Sequence, residues 1–259
     1  MLLTLDIGNS HTVLGFFAQN SEKLLHHFRV KTDHNTTGDE YGLMVQGLLG
    51  LKGKKLSEIQ HVIIGSVVPA AQNSWLGFCA QHLDLNPMTI GSKTLDTGMA
   101  IETDNPAEVG ADRIINGLAG FTRHPRELII VDFGTAITFD CISGSGAYIG
   151  GAIAPGIGIS MEALAAKTAK LPKVDISTPP TSIIGTNTIT AIKTGILLGY
   201  GGLVEGLCKQ LATEFPRPPL VLATGGMASL IAPYAPIIQH VYPELTLEGL
   251  QLIHARNQP

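Results

Sequence analysis

The sequence is short of charge, of aromatic rings and of cysteine. Only 15% of its 259 residues are Asp, Glu, Lys or Arg, and 5% are Phe, Trp or Tyr. So little charge beside a 44% hydrophobic fraction excludes a disordered chain and fits a globular one able to bury a large core. Lysine and arginine number 17 against 21 acidic residues, with no long basic run, so neither nucleic acid nor membrane is expected as a partner. The three cysteines, Cys79, Cys141 and Cys208, stand far apart without a Cys-x-x-Cys pair. They read as buried thiols of a reducing compartment, not as disulfides or metal ligands. Nine histidines show no ligand spacing, and no zinc site is expected. No apolar run reaches membrane-spanning length without Gly, Pro or a charge. Asp6 interrupts the short apolar start, no basic stretch precedes it, and no signal peptide is read. The expected location is cytoplasmic. Two phosphate-binding signatures are missing as well: a Gly-x4-Gly-Lys-Ser/Thr loop, and a Gly-x-Gly-x-x-Gly after a strand.

What is present instead is one short pattern, used twice. Leu3-Thr4-Leu5-Asp6-Ile7-Gly8-Asn9-Ser10 leads into Thr12-Val13-Leu14-Gly15-Phe16-Phe17, which reads as strand, tight turn, strand. The turn carries a carboxylate, a glycine and small hydroxyl side chains, and its backbone N–H groups can face an anion. Leu128 to Ala136 repeats the plan: an apolar strand, Asp132-Phe133-Gly134-Thr135, then an outgoing strand from Ile137 to Ile142. Asp-Gly is also ordinary hairpin chemistry. Two copies in one strand context point further, to a duplicated domain that binds a nucleotide.

Taken in order, a third strand is expected at Lys23–Val30, a helix from Asp39 to Leu49, and a buried strand at His61–Val68 closed by Pro69. A helix over Ala70–His82 and a short strand at Met88–Ile90 follow. Thr94–Pro106 reads as an irregular substrate-side loop, and Gly110-Ala111-Asp112-Arg113 opens a helix to Arg123. The second half offers strands at Leu128–Asp132, Ala136–Ile142 and Tyr148–Ala154, then a helix through Met161 and Leu164. A long glycine-rich helix over Thr188–Thr213, a strand at Leu220–Ala223 and a last helix at Glu244–Ala255 complete the chain. The fold class is α/β with mixed sheets flanked by helices, divided into residues 1–115 and 116–259. Ala191, Gly195, Gly199 and Gly202 fall on one face of the long helix, a stripe that suits close packing against a second subunit or within one.

The Asp-Ile-Gly-Asn-Ser turn, the Gly-Ala-Asp-Arg tetrad, the Asp-Phe-Gly-Thr-Ala turn, the Gly-Gly-Ala-Ile-Ala-Pro-Gly segment and Thr224-Gly225-Gly226 together resemble the type III pantothenate kinases, in order and over nearly the whole chain. The resemblance implies duplicated ribonuclease H-like domains of the actin-like ATPase superfold. It also implies ATP-dependent phosphorylation of pantothenate to 4'-phosphopantothenate, opening coenzyme A synthesis. By that resemblance Asp6, Ile7, Gly8, Asn9, Ser10, His11, Thr12 and Val13 wrap the ATP phosphates, and Thr135 donates to the nucleotide. Asp6 beside phosphate calls for Mg²⁺, and Asp132 for a monovalent cation, potassium or ammonium. Asp112 becomes the candidate general base, a group that contributes on the order of 10²–10⁴-fold, although an Asp there also caps helices. Arg113 suits a carboxylate in bidentate fashion, or is simply a solvated arginine. Gly110 and Ala111 line the pantothenate site, Thr188 either bonds the substrate or caps its helix, and Thr168 reaches the partner's substrate in a homodimer. Thr103 stands where the family commonly has tyrosine. That departure keeps open a kinase for another hydroxylated substrate, beside a non-catalytic transcriptional accessory role.

Overall fold

The computed structural model describes residues 1–19, 21–92, 95–180 and 182–258. Its strands form two five-stranded mixed sheets of one plan. In the first, β1 (Leu2–Ile7), β2 (His11–Phe17), β3 (Leu24–Lys31), β4 (His61–Ser66) and β5 (Met88–Thr89) stand in the order β3-β2-β1-β4-β5. In the second, β6 (Leu128–Phe133), β7 (Ala136–Ile142), β8 (Tyr148–Pro155), β9 (Leu220–Thr224) and β10 (His240–Val241) stand in the order β10-β9-β6-β7-β8. Each sheet begins as an antiparallel meander whose first strand then takes a parallel partner, β4 beside β1 and β9 beside β6. The duplicated α/β plan expected from the two hairpins is therefore the one observed.

Seven α-helices connect and cover the described strands: α1 (Gly38–Gly50), α2 (Pro69–Phe78), α3 (Ala111–Arg123), α4 (Ile157–Lys167), α5 (Thr188–Ala212), α6 (Ala228–Ile231) and α7 (Leu245–Arg256). Local chemistry fixes several of their ends. Thr37 Oγ1 accepts from the Glu40 N–H while Glu40 Oε2 accepts from the Thr37 N–H, a capping box that starts α1. Pro69 suits the first turn of α2 because its missing N–H has no partner to lose there. The helix expected over Ala70–His82 is not uniform, since after Phe78 it widens into a π-turn over Cys79–Leu83 and stops at Asp84, whose φ is 54°. Thr94, the start of the expected irregular loop, lies outside the described residues.

Contacts divide the chain into two compact units. The first holds Met1–Met99, Asn105–Ala119 and the stretch from Leu245 onward, and the second holds Ala100–Asp104 and Gly120–Glu244. In the first, β1 is buried on both faces. Leu3, Leu5 and Ile7 pack with Tyr41, Val45, Trp75 and Phe78, where the Tyr41 and Trp75 rings stack with centroids 3.9 Å apart. Leu2, with Phe17 and Ile63, packs on the other face against Ile115 of α3 and Leu247, Leu250 and Ile253 of α7. The last helix thus belongs with the first sheet, and a single boundary between residues 115 and 116 does not describe the units. Its apolar spacing shows a helix with a buried face but carries no information on which sheet that face covers. In the second unit Ile129, Val131 and Phe133 of β6 pack with Leu197, Val204 and Cys208 of α5. All three cysteines are free and buried, and burial pushes the Cys79 and Cys208 thiols up to about 12. No helix among the described residues is long and apolar enough to cross a membrane.

Near the end of α7, burial first and the His61 charge second lower the His254 pKa from 6.5 to about 4. The folded state therefore keeps His254 neutral where the unfolded chain already binds a proton. Stability is complete above about pH 6.5 and declines as pH falls toward 4. Urea midpoints measured from pH 7.5 to 4.5 should fall less steeply for His254→Gln than for the wild type; parallel curves would show that His254 does not contribute.

Candidate functional site

The first hairpin turn is braced from behind. The Gly8 N–H donates to the His11 carbonyl at 3.1 Å, and the Thr32 N–H donates to the Ser10 carbonyl at 3.1 Å. Thr32 Oγ1 gives its proton to the Gly8 carbonyl at 2.7 Å, so in the 2.9 Å contact between Thr12 and Thr32 hydroxyls Thr12 is the donor. The Thr12 hydroxyl, read from the sequence as a phosphate contact, is buried and supports the turn. Asn9, Ser10 and His11 are exposed, Gly8 and Val13 are partly so, and Ile7 is buried in the first core.

Asp6 is half-buried one residue before the end of β1. Its strand neighbours are Val13 on β2 and Gly65 on β4, and Val13 in turn faces Arg29 on β3. Directly paired residues share a face, so Gly65, Asp6, Val13 and Arg29 form one row. Lys31 faces His11 two residues on. Partial burial, and then the Arg29 charge, lower the His11 pKa. Sequence reasoning missed Arg29 and Lys31; the polar alternation His27, Arg29, Lys31 along an edge strand was the available signal.

The same face of the first sheet carries the start of α3. A Cβ on Gly65 would lie 2.6 Å from Ile115 Cδ1, so Ile115 is seated directly on the residue beside Asp6. Within the first turn, Asp112 Oδ1 accepts from the Arg113 N–H at 2.9 Å, and that N–H also reaches the Gly110 carbonyl at 3.2 Å. Gly110 makes room for this arrangement, because a Cβ there would meet Asp112 Oδ1 at 2.6 Å. Burial raises the Asp112 pKa, opposed by the Arg113 N–H and by the Arg113 charge. A carboxylate at a helix start with a raised pKa is closer to the range in which a general base works. Ala111 and Arg113 are half-buried, and Arg113 Nη2 is shielded from solvent.

In the second unit, β6 places Asp132 between Thr138 on β7 and Thr224 on β9. Gly225 follows with φ +90°, and a Cβ there would collide with Asp132 Oδ1 and the backbone of Phe133. Only glycine lets this carboxylate lie against the Thr224-Gly225 turn. Thr135 is half-buried in the β6–β7 turn, and a Cβ on Gly156, the residue before α4, would collide with the Thr135 carbonyl. Thr224 Oγ1 is buried without a hydrogen-bond partner among the described residues.

Thr168 ends α4 and donates its hydroxyl to the Leu164 carbonyl at 2.7 Å. Thr188 is the first residue of α5 and is exposed. The cap is Asn187, whose Oδ1 accepts from the Thr190 N–H at 3.0 Å, so the capping alternative for Thr188 does not hold. Thr188, Ala191, Ile192 and Gly195 instead form one wall of an apolar groove of about 460 Å³, with Leu164 and Leu171 opposite. Further along α5, no atom of the described residues lies within 4 Å of a Cβ built on Gly195, Gly199, Gly202 or Gly206. Thr103 Oγ1 is buried without a hydrogen-bond partner among the described residues, in the segment whose Glu102 N–H donates to the Tyr148 carbonyl.

The family model for type III pantothenate kinase matches residues 2–210. A type III pantothenate kinase of Anaeromyxobacter dehalogenans is 46% identical over 258 residues, with both chains covered in full. One from Geobacter sp. strain M21 is 48% identical over 258 residues, again covering both. Among solved structures, a ROK family glucokinase from Streptomyces griseus in complex with glucose and AMPPNP shares the fold, with a TM-score of 0.53 at 14% identity, covering 96% of this chain and 97% of its own. A match over most of the chain, joined to full-length relatives at nearly half identity, decides the family: this chain belongs to the type III pantothenate kinases.

Proposed function

We propose that the protein transfers the γ-phosphoryl group of ATP to the primary hydroxyl of pantothenate, giving 4'-phosphopantothenate and ADP, the first step of coenzyme A synthesis. The observation that carries the reading is the Gly110–Arg113 turn, where a half-buried carboxylate of raised pKa and a guanidinium are adjacent at one helix start. Asp112 orients the attacking hydroxyl and takes its proton as the new O–P bond forms and the bond to the ADP oxygen breaks. Arg113 holds the pantothenate carboxylate, a planar acceptor that its fork matches. Gly110 and Ala111 line that pocket, and Thr188 bonds the substrate. The turn from Asp6 to Val13 receives the phosphates, with Ser10 as its exposed hydroxyl and Arg29 adding positive charge on the Asp6 face. Thr135 contacts the nucleotide.

A single carboxylate beside an open phosphate turn suits Mg²⁺, which keeps several waters and takes one or two carboxylates together with phosphates. At Asp132 one carboxylate stands among neutral hydroxyls, a donor set of single negative charge that fits a monovalent cation, potassium or ammonium. Such ions offset the charge that would otherwise set carboxylate against phosphate. The buried free thiols accord with work in the cytoplasm. A non-catalytic transcriptional role is not favoured, because Asp112, Arg113 and Asp132 are all retained and the relatives at 46% and 48% identity are named as kinases.

The open glycine face of α5 supports a homodimer. Gly195, Gly199, Gly202 and Gly206 stand three or four apart, and among the described residues no atom lies within 4 Å of a Cβ built on any of them. Backbones can approach closely along such a stripe, and the groove at Thr188 lies on the same helix. In the homodimer Thr168 reaches the partner's substrate, and closing the pocket this way excludes water from the phosphoryl group.

Three outcomes are expected. Incubation with ATP, Mg²⁺ and potassium against a panel of hydroxylated acids should yield 4'-phosphopantothenate by mass spectrometry, and a different phosphorylated product would displace pantothenate. Asp112→Asn should lower kcat by about 10²–10⁴-fold with nucleotide binding retained; unchanged turnover would leave Asp112 a helix-end residue only. Gly199→Leu should sediment as a folded monomer that binds pantothenate poorly and nucleotide nearly normally, whereas a wild type active as a monomer would remove the shared pocket.

A further inference from the structure

We infer that the Thr224 hydroxyl is a ligand of the monovalent cation held at Asp132. The inference rests on the cation proposed above and assigns it a second side chain. Asp132 lies in the middle of a row of paired residues, Thr224 on β9, Asp132 on β6 and Thr138 on β7, all directed to one face of the second sheet. The two threonines differ in what they have left to give. Thr138 Oγ1 donates its proton to Asp140 Oδ2 at 2.9 Å, and Asp140 Oδ1 accepts from the Tyr148 hydroxyl at 3.2 Å. Thr138 therefore cannot donate to Asp132 as well, having a single hydroxyl proton.

Thr224 is in the opposite position. It is 1% exposed, and its Oγ1 has no hydrogen-bond partner among the described residues. Leaving a hydroxyl buried and unmatched is unfavourable, so a native structure that keeps one matches it to an ordered water, an ion or a ligand. The next residue is Gly225, against which the Asp132 carboxylate lies. An anionic oxygen and an unmatched neutral oxygen thus face the same corner. A bridging water could donate to both but would leave the carboxylate charge uncompensated, whereas a cation attracts both oxygens and offsets that charge. Carboxylate and hydroxyl oxygens are hard ligands, and Asp132 brings one negative charge to this corner while the Asp140 carboxylate is occupied by the Thr138 and Tyr148 hydroxyls. Valine in place of Thr224 would keep the shape and the strand preference while removing that oxygen.

The thermal midpoint of the nucleotide-free protein, recorded against potassium chloride with choline chloride holding ionic strength constant, reads this site without any turnover. The wild-type midpoint should rise and saturate. Asp132→Asn should show no rise. Thr224→Val should need at least about tenfold more potassium for half the effect, the usual scale for losing one group that supports a metal. Thr224→Ser, which keeps the oxygen, should stay within about threefold of wild type. In choline alone Thr224→Val should be no less stable than wild type, because the variant no longer buries an unmatched hydroxyl. A potassium midpoint for Thr224→Val equal to that of the wild type overturns the inference, as does an equal loss of stability with and without potassium. If the valine variant does not fold, Thr224→Ala carries the same comparison. A wild type that responds to neither potassium, ammonium nor sodium removes the cation from Asp132 altogether, an outcome distinct from a wild-type response that Thr224 does not influence.

Discussion

Asp6 and Asp132 stand near the ends of β1 and β6, the middle strands of their sheets, and each of those strands is paired on both sides. Register in such a strand cannot slip by one residue without turning the apolar set to the wrong face. Leu3, Leu5 and Ile7 would exchange places with Leu2, Thr4 and Asp6, and the first core would receive a carboxylate. The packing that stabilises the sheet therefore also fixes where the charge goes. Everything placed around the two carboxylates, from the braced turn at Gly8 to the Thr224-Gly225 turn, inherits its position from that register.

Rigidity around the carboxylates is local and specific. Thr32 satisfies two carbonyls of the first turn, one through its N–H and one through its hydroxyl, so the turn has little freedom left. Asp112 is held by the Arg113 N–H in a space that Gly110 leaves open. Asp132 is held against Gly225. These are preorganised positions, in the sense that little rearrangement is needed before a ligand meets them.

Much of this was legible in the sequence. Apolar runs bounded by Asp-x-Gly are visible without coordinates, and the strands from Leu2 to Phe17 and from Leu128 to Pro155 lie where that pattern puts them. The duplication was legible for the same reason, since the pattern occurs twice. Interactions between residues distant in sequence were not. Nothing in Thr12 itself says that its proton goes to Thr32, twenty residues on. Likewise Asn187 and Thr188 are both fair caps by residue type, and only the backbone conformation separates them. Arg29 was readable from its strand, but its relevance depends on the pairing that puts it across from Val13. The placement of the last helix needed the same kind of knowledge, which propensity and spacing do not contain.

That last helix also sets an order of events during synthesis. Leu247, Leu250 and Ile253 cover Leu2, Phe17 and Ile63, which leave the ribosome more than 180 residues earlier. Until they arrive, the first sheet presents one apolar face with no cover from α7. The nascent chain thus carries a sticky surface through the whole translation of the second unit, a period of several seconds or more at usual elongation rates of about 5–20 residues per second. A premature stop between β10 and α7 would release a polypeptide with both sheets encoded and one of them still open to aggregation or to holdase chaperones.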